Sequence, residues 1–83
     1  MRDRAVVTLN LMKRHELHDI DVPLDINASE LLQGLNKAYG LGLTVDDNTQ
    51  CFVAAENPIV LMHGRKTLAE YGIMSGSIIN IAG

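Results

Sequence analysis

The stretch from residue 64 to residue 81 constrains the fold of this chain more than any other. It predicts a glycine turn, one short helical turn around Tyr71, and then a strand near the C-terminus. In that strand Ile79 and Ile81 share one side while Asn80 takes the other, which is the period of two of a half-buried strand. A terminal strand stays ordered when it is tied down. We therefore expect this strand to lie inside a sheet, with earlier strands paired on both sides.

Length and composition predict one small aliphatic domain. The chain has 83 residues, of which 47% are hydrophobic and only 4% aromatic, so the core must consist of Val, Ile and Leu. We expect a single domain over residues 1–83, with the polar residues 1–4 frayed. The single cysteine, Cys51, excludes an intrachain disulfide and indicates a reducing compartment.

Charge and hydropathy exclude several classes of partner. The net charge is −3, with no basic stripe to neutralise phosphates, which argues against nucleic acid binding. No apolar run approaches the ~18–20 residues of a membrane span, and no signal peptide is recognisable. We therefore expect a cytoplasmic, soluble protein that does not insert into a membrane.

The N-terminal quarter reads as a hairpin. Residues 5–12 alternate between apolar and polar side chains, and the polar segment 13–16 predicts a turn. A second alternating strand follows around Ile20 and Val22. Pro23 cannot donate to a ladder, so it ends this strand or restricts it to an edge.

One helix is predicted after the hairpin. Asn27 and Glu30 have the spacing of a capping box, and Gly40 is a natural C-terminal stop. Gly34 interrupts the helix at a cost of about 1 kcal/mol relative to Ala. We expect close approach of the helix to the sheet to explain this glycine, with a partner contact as the alternative. The apolar stripe comprises Ala28, Leu31, Leu32, Leu35, Ala38 and Tyr39.

The remaining elements complete an α+β architecture. Residues 50–55 predict a third strand, residues 56–58 a turn, and residues 59–62 a short fourth strand. The order is ββαββ, followed by the short helical turn and the last strand. The predicted fold is a mixed five-stranded sheet with one helix packed on one face.

A family resemblance follows from these motifs. Residues 64–73, Gly-Arg-Lys-Thr-Leu-Ala-Glu-Tyr-Gly-Ile, resemble the stretch before the last strand of ubiquitin-like β-grasp domains. More narrowly, the helix run 31–41 and the segment 56–58 resemble the bacterial YukD/EsaB family. This resemblance implies a cytosolic accessory or regulatory factor of WXG100 (type VII, ESX) secretion, with protein components of that system as partners. A ubiquitin-like domain of an EccD-type membrane component is the alternative within the same resemblance.

The C-terminus departs from the conjugating relatives. Ubiquitin and the sulfur carriers end in a flexible Gly-Gly tail, whereas here Ile81 is followed by Ala82 and Gly83. We expect a non-conjugating protein-interaction module. A sulfur carrier or ubiquitin-type modifier, activated at its C-terminus, is the alternative, and incubation with ATP and a cognate activating enzyme distinguishes the two.

No catalytic, cofactor or metal site is predicted, and we expect a protein that is not an enzyme. His15, His18 and His63 are interpreted as surface histidines rather than metal ligands. Cys51 is interpreted as a core cysteine, since nothing in the sequence indicates a thiolate. Tyr71 is expected to bond loop backbone through its hydroxyl group.

Binding to a protein is therefore the predicted function, through the sheet face that the helix leaves uncovered. Alternation places an apolar patch there, around the central strand, and such patches mark interaction sites. A register slip by one residue would instead bury Phe52 and expose its neighbours. Neither the oligomeric state nor the partner's identity follows from the sequence. The predicted partner-binding residues are Val6, Thr8, Phe52, Ala54, Ile78 and Asn80.

Overall fold

The computed structural model describes residues 3–42 and 52–82. These two ranges contain five strands, one α-helix and one 3-10 turn. No helix in these two ranges is long and apolar enough to cross a membrane. The elements are β1 (Arg4–Leu11), a 3-10 turn (Met12–Arg14), β2 (Glu16–Pro23), α1 (Ala28–Tyr39), β3 (Val53–Glu56), β4 (Val60–Met62) and β5 (Ile78–Ile81).

The last strand lies at the centre of the sheet, as its alternation predicts. The strand order is β2-β1-β5-β3-β4. β5 runs parallel to β1, with Thr8 opposite Ile78, and antiparallel to β3, with Ala54 opposite Asn80. β2 and β4 are the two edge strands, so the prediction that Pro23 restricts its strand to an edge is confirmed.

The helix and one face of the sheet enclose an aliphatic core. The alternation predicted for β1 and β5 is confirmed, because every second side chain in these strands is buried. Ser77 is the single polar residue among the buried side chains of the described ranges. The buried apolar residues are Ala5, Val7, Leu9, Leu11, Val22, Ala28, Leu31, Leu32, Leu35, Val53, Ala55, Met62, Leu68, Ile73, Ile79 and Ile81.

Both ends of α1 are capped as predicted. The Asn27 side chain accepts a hydrogen bond from the Glu30 amide at 2.9 Å, and the Glu30 carboxylate accepts one from the Asn27 amide at 3.1 Å. Gly40 adopts the left-handed conformation, with φ of 59°, and closes the helix. The expected reason for Gly34 is wrong. Gly34 is exposed, and a Cβ built on it meets no atom within 4 Å.

Several predicted boundaries are corrected by strand pairing. Arg4 was expected to fray with residues 1–3, but it opens β1 opposite Pro23 and forms a 3.1 Å ion pair with Asp21. Of the strand predicted over residues 50–55, β3 takes in Val53 to Ala55 and leaves out Phe52, and it also includes Glu56, which lies opposite Ile78. Met1, Arg2, Gln50 and Cys51 lie outside the described residues.

The predicted short helical turn is present as a hydrogen-bonded turn between β4 and β5. The Tyr71 amide donates to the Thr67 carbonyl at 3.1 Å, which is the spacing of one α-helical turn. Leu68 is fully buried in this turn, and its amide donates to the Ile26 carbonyl at 2.9 Å. The turn is therefore fastened to the segment that leads into α1.

Ser77 links the start of β5 to the turn between β3 and β4. Its hydroxyl group donates to the Asn57 carbonyl and accepts from the Met74 amide at 3.0 Å. Asn57 has a positive φ of 58° and precedes a cis peptide bond to Pro58. Because Ser77 is fully buried, its hydroxyl group is satisfied by these two bonds rather than by water.

We expect Ser77→Ala to lower the free energy of unfolding by roughly 1–3 kcal/mol, because it removes the one hydroxyl group that binds both the Met74 amide and the Asn57 carbonyl. Ser75→Ala is the matched control. The Ser75 hydroxyl group also accepts a hydrogen bond from a backbone amide, that of Val6, at 3.2 Å. Ser75 is exposed, so water can replace its hydroxyl group in the variant. Urea unfolding of both variants measures the difference. Equal losses in the two variants would contradict the role assigned to Ser77.

Candidate functional site

The sheet face opposite the helix carries the predicted binding residues. Val6 and Thr8 lie on β1, Ile78 and Asn80 on β5, and Ala54 on β3, each between buried neighbours. Their alternation agrees with the predicted register. Together with the residues paired beside them, they form what is here called the outer face.

A polar network divides the outer face. The Asn10 amide group donates to the Asn80 side-chain oxygen at 2.9 Å, and the Asn80 amide group donates to the Glu56 carboxylate at 2.9 Å. Asn80 lies opposite Ala54, and Glu56 lies opposite Ile78. These four residues form the corners of a square on β5 and β3. The hydrogen bond from Asn80 to Glu56 runs along one diagonal of the square, and it passes between Ile78 and Ala54 at the ends of the other diagonal. The six predicted residues consequently do not form one continuous apolar patch.

The β4 edge of the outer face carries two exposed apolar side chains close to a histidine ring. Phe52 precedes β3, and its ring lies 5.4 Å from the ring of His63, which follows β4. Leu61, on β4, lies opposite Ala54. Phe52 is 53% exposed and Leu61 is 55% exposed. We call Phe52, Leu61, His63 and Tyr71 the β4 corner.

Tyr71 binds the backbone of the β4 corner. The prediction that its hydroxyl group bonds to loop backbone is confirmed. The hydroxyl donates to the His63 carbonyl at 3.0 Å and accepts from the His63 amide at 3.3 Å. The Tyr71 and His63 rings are 6.5 Å apart, and the Lys66 ammonium lies 4.8 Å from the centre of the Tyr71 ring. Tyr71 thus holds the backbone at the end of β4, and with it the position of His63.

A second capping box holds the turn that carries Tyr71. The Thr67 amide donates to the Glu70 carboxylate at 3.0 Å, and the Glu70 amide donates to the Thr67 hydroxyl group at 3.2 Å. The Thr67 hydroxyl also donates to the same carboxylate. These hydrogen bonds lower the pKa of Glu70 below its ordinary value. The bond from the Thr67 backbone amide contributes most, and the bond from the Thr67 hydroxyl group contributes next.

His15 and His18, two other candidate residues within the described ranges, lie at the β1–β2 hairpin and its second strand. His18 lies 3.3 Å from the Glu16 carboxylate, and its ring packs 5.1 Å from that of Tyr39. His15 is exposed at the hairpin, in the left-handed conformation. Cys51 lies outside the described residues. Within residues 3–42 and 52–82 no group of three or more His, Cys, Asp or Glu side chains is placed to hold a metal ion.

Leu61 and Leu17 were missed by the sequence analysis. Residues 59–62 are uniformly apolar, so periodicity alone does not tell which of them face outward. Leu17 is 70% exposed on β2, opposite Asn10. Pairing with β1 and β3 assigns both leucines to the outer face. The sequence did hold one signal. Asn10 is a polar residue in an alternating strand and so faces outward, and a residue paired opposite it, such as Leu17, lies on the same face.

Comparison with known proteins supports the fold. No protein-family model matches the chain, and no curated protein matches it. A solved structure of a de novo designed protein based on ubiquitin is similar to it, with a TM-score of 0.64 and 20% sequence identity. The match covers 95% of this chain and 87% of the designed one. The chain therefore has the ubiquitin-like β-grasp fold that the sequence predicts.

Thr67→Ala is expected to raise the pKa of Glu70 towards its ordinary value of 4.5 without reaching it, because the larger contribution, from the backbone amide, remains. Carbon-detected NMR titration of the Glu70 carboxyl group measures the change. A pKa unchanged by Thr67→Ala would contradict the assigned cause.

The same pKa shift predicts the pH dependence of stability. A carboxyl pKa that is lower in the folded state stabilises the fold above the unfolded pKa, and this contribution is lost as the pH falls through the folded pKa. The stability difference between the wild-type protein and Glu70→Gln should therefore shrink below about pH 4.5. Urea unfolding at a series of pH values measures it, and a difference independent of pH would contradict it.

Proposed function

We propose that this protein is a non-conjugating protein-interaction module of the ubiquitin-like type, and that it binds its partner through the β4 corner. The observation that carries this proposal is the exposure of Phe52 and Leu61 on the face that α1 does not cover. Aromatic and aliphatic side chains that remain exposed together commonly mark protein contacts, because burying them against a partner removes apolar surface from water.

The geometry of the corner favours a protein partner. Tyr71 holds the backbone of His63 with two hydrogen bonds, so this backbone, which carries the ring packed against Phe52, needs little ordering on binding. β4 is an edge strand, and its backbone groups border the apolar side chains. Polar groups beside an exposed aromatic ring resemble the composition of protein interfaces, which surround apolar anchors with a polar rim.

The biological setting of the proposal rests on the sequence resemblance. The helix run 31–41 and the segment 56–58 resemble the YukD/EsaB proteins, and the ubiquitin-like fold agrees with that resemblance. We assign the protein to the cytoplasm of a bacterium, as an accessory or regulatory factor of WXG100 (type VII) secretion. Its partners in this proposal are protein components of that secretion system.

The binding surface is tested with two outer-face variants and one control. Crosslinking in the native host, followed by mass spectrometry, identifies the captured proteins. We expect Phe52→Ala to lower capture of the partner about thirtyfold, as removal of an interface anchor worth about 2 kcal/mol does. Met74→Ser, which changes an exposed apolar residue outside the β4 corner, should leave capture unchanged. Equal capture by Phe52→Ala and the wild-type protein would overturn the proposed surface.

Ile78→Asp determines how far the binding surface extends. The bond between Asn80 and Glu56 separates Ile78 from Ala54, so we expect Ile78→Asp to reduce capture less than Phe52→Ala does. A larger loss with Ile78→Asp would move the interface to the centre of the sheet.

The proposed pathway is tested separately. Deleting the gene should reduce the secretion of WXG100 substrates, and the wild-type gene should restore it while Phe52→Ala does not. Unchanged secretion after deletion, together with capture of proteins unrelated to this system, would overturn the secretion role. The β4 corner would still stand as a binding surface in that case.

A further inference from the structure

A groove lies between α1 and the edge strand β2, on the side of the molecule away from the β4 corner. Its volume is about 360 Å³, within the range of roughly 300–1,000 Å³ typical of binding clefts. Ile20 and Val22 contribute its β2 side. Tyr39, whose ring packs 5.1 Å from that of His18, also lines the groove, as do Pro23 and Ile26.

Gly34 and Ala38 keep this groove open. Both residues are exposed and lie one helical turn apart on the side of α1 that lines the groove. A Cβ on Gly34 would meet no atom within 4 Å, so packing inside the molecule does not require glycine there. The glycine nevertheless costs helix stability. The space it leaves is available to a side chain from outside.

β2 offers the edge of a sheet next to this groove. β1 occupies one side of β2, and the other side is free within the described ranges. An edge strand leaves backbone N–H and C=O groups unpaired, and an extended segment can pair with them. Such a segment would continue both faces of the sheet. Alternate side chains would enter the groove beside Ile20, and the others would lie on the outer face beside Asp19 and Asp21.

The charge of β2 specifies the chemistry of that segment. β2 contains three carboxylates, of Glu16, Asp19 and Asp21, and no Lys or Arg. Asp19 accepts a 3.3 Å hydrogen bond from the Thr8 hydroxyl group, and Arg4 pairs with Asp21. Both aspartates remain exposed on the outer face. Basic side chains at alternate positions of an added strand would therefore face carboxylates, an arrangement that stabilises cross-strand pairs.

We propose that β2 and the groove bind an extended segment of another protein in which apolar residues alternate with Lys or Arg. The apolar residues occupy the groove along Gly34 and Ala38, and the basic residues lie beside Asp19 and Asp21. A second copy of this chain, paired through its own β2, fits less well. Its aspartates would lie close to Asp19 and Asp21 of the first copy, and like charges repel. This surface does not depend on the β4 corner or on the secretion role.

The test uses a blocked peptide of alternating Lys and Val residues, about as long as the eight residues of β2. Titration into the ¹⁵N-labelled protein should shift amide signals of β2 and of Gly34 and Ala38, while the amide of Leu61 stays in place. NOEs between the peptide backbone and β2 should show strand pairing. An absence of shifts, or shifts centred on Leu61, would overturn the proposal.

Control peptides distinguish binding that depends on residue alternation and charge from nonspecific binding. An alternating Glu–Val peptide should not bind, because its carboxylates meet Asp19 and Asp21. A peptide with the same Lys and Val content in two blocks should bind more weakly, because it cannot place one residue type on each face. Binding should also weaken at about 0.5 M salt, where screening shortens the reach of exposed charges. Equal binding of all three peptides would overturn the proposal.

Substitutions test the two halves of the site. Gly34→Leu should abolish peptide binding by filling the groove, whereas Gln33→Leu, which adds the same side chain next to it but outside the lining, should not. Ala38→Leu is a second way to fill the groove if Gly34→Leu does not fold. The double variant Asp19→Asn and Asp21→Asn should weaken binding about fivefold, the size expected for two exposed charge pairs. Retained binding in both groove-filling variants would overturn the assignment.

Discussion

The pairing of β5 with β1 on one side and β3 on the other is the interaction on which the rest of the structure depends. Without β5 the sheet would consist of two separate two-stranded ribbons, β1–β2 and β3–β4. Each ribbon would be only marginally stable by itself in water. β5 joins them into one five-stranded sheet that α1 can cover. The Gly76 amide donates to the Val6 carbonyl, and the buried Ser77 hydroxyl group ties the start of β5 to Asn57. These contacts fix where the central strand begins.

The width of that sheet leaves two surfaces for binding. Five strands at a spacing of roughly 4.8 Å extend about 19 Å, whereas one helix is only about 10–12 Å across. The helix therefore covers the middle of one face and leaves a groove beside β2. The outer face has no covering layer within the described ranges. Its centre is occupied by the bonded Asn10, Asn80 and Glu56 side chains. Large exposed apolar side chains lie around this network, with Leu17 on β2, Val6 on β1, and Phe52 and Leu61 at the β4 corner.

Features specified by residues close together in the sequence could be predicted. The Asn27–Glu30 capping box and the Gly40 stop depend only on neighbours within one turn of helix, and both are confirmed. Alternation in β1 and β5 identified the buried face, because a half-buried strand repeats every two residues. The explanation for Gly34 failed for the opposite reason. How closely a helix approaches a sheet depends on the packing of the other residues between them.

Local periodicity and backbone preference are enough to predict the order of the elements, the caps of the helix and which side chains of the central strands point inward. Three other features depend on the folded chain. Asn80 bonds to Glu56 on β3 and divides the outer face. Leu61 and Phe52 are both exposed at the β4 corner, and Gly34 opens a groove instead of making a close contact. The physical reason is that these features depend on strand register and helix placement. Both are set by contacts between residues far apart in the chain, which no local pattern encodes.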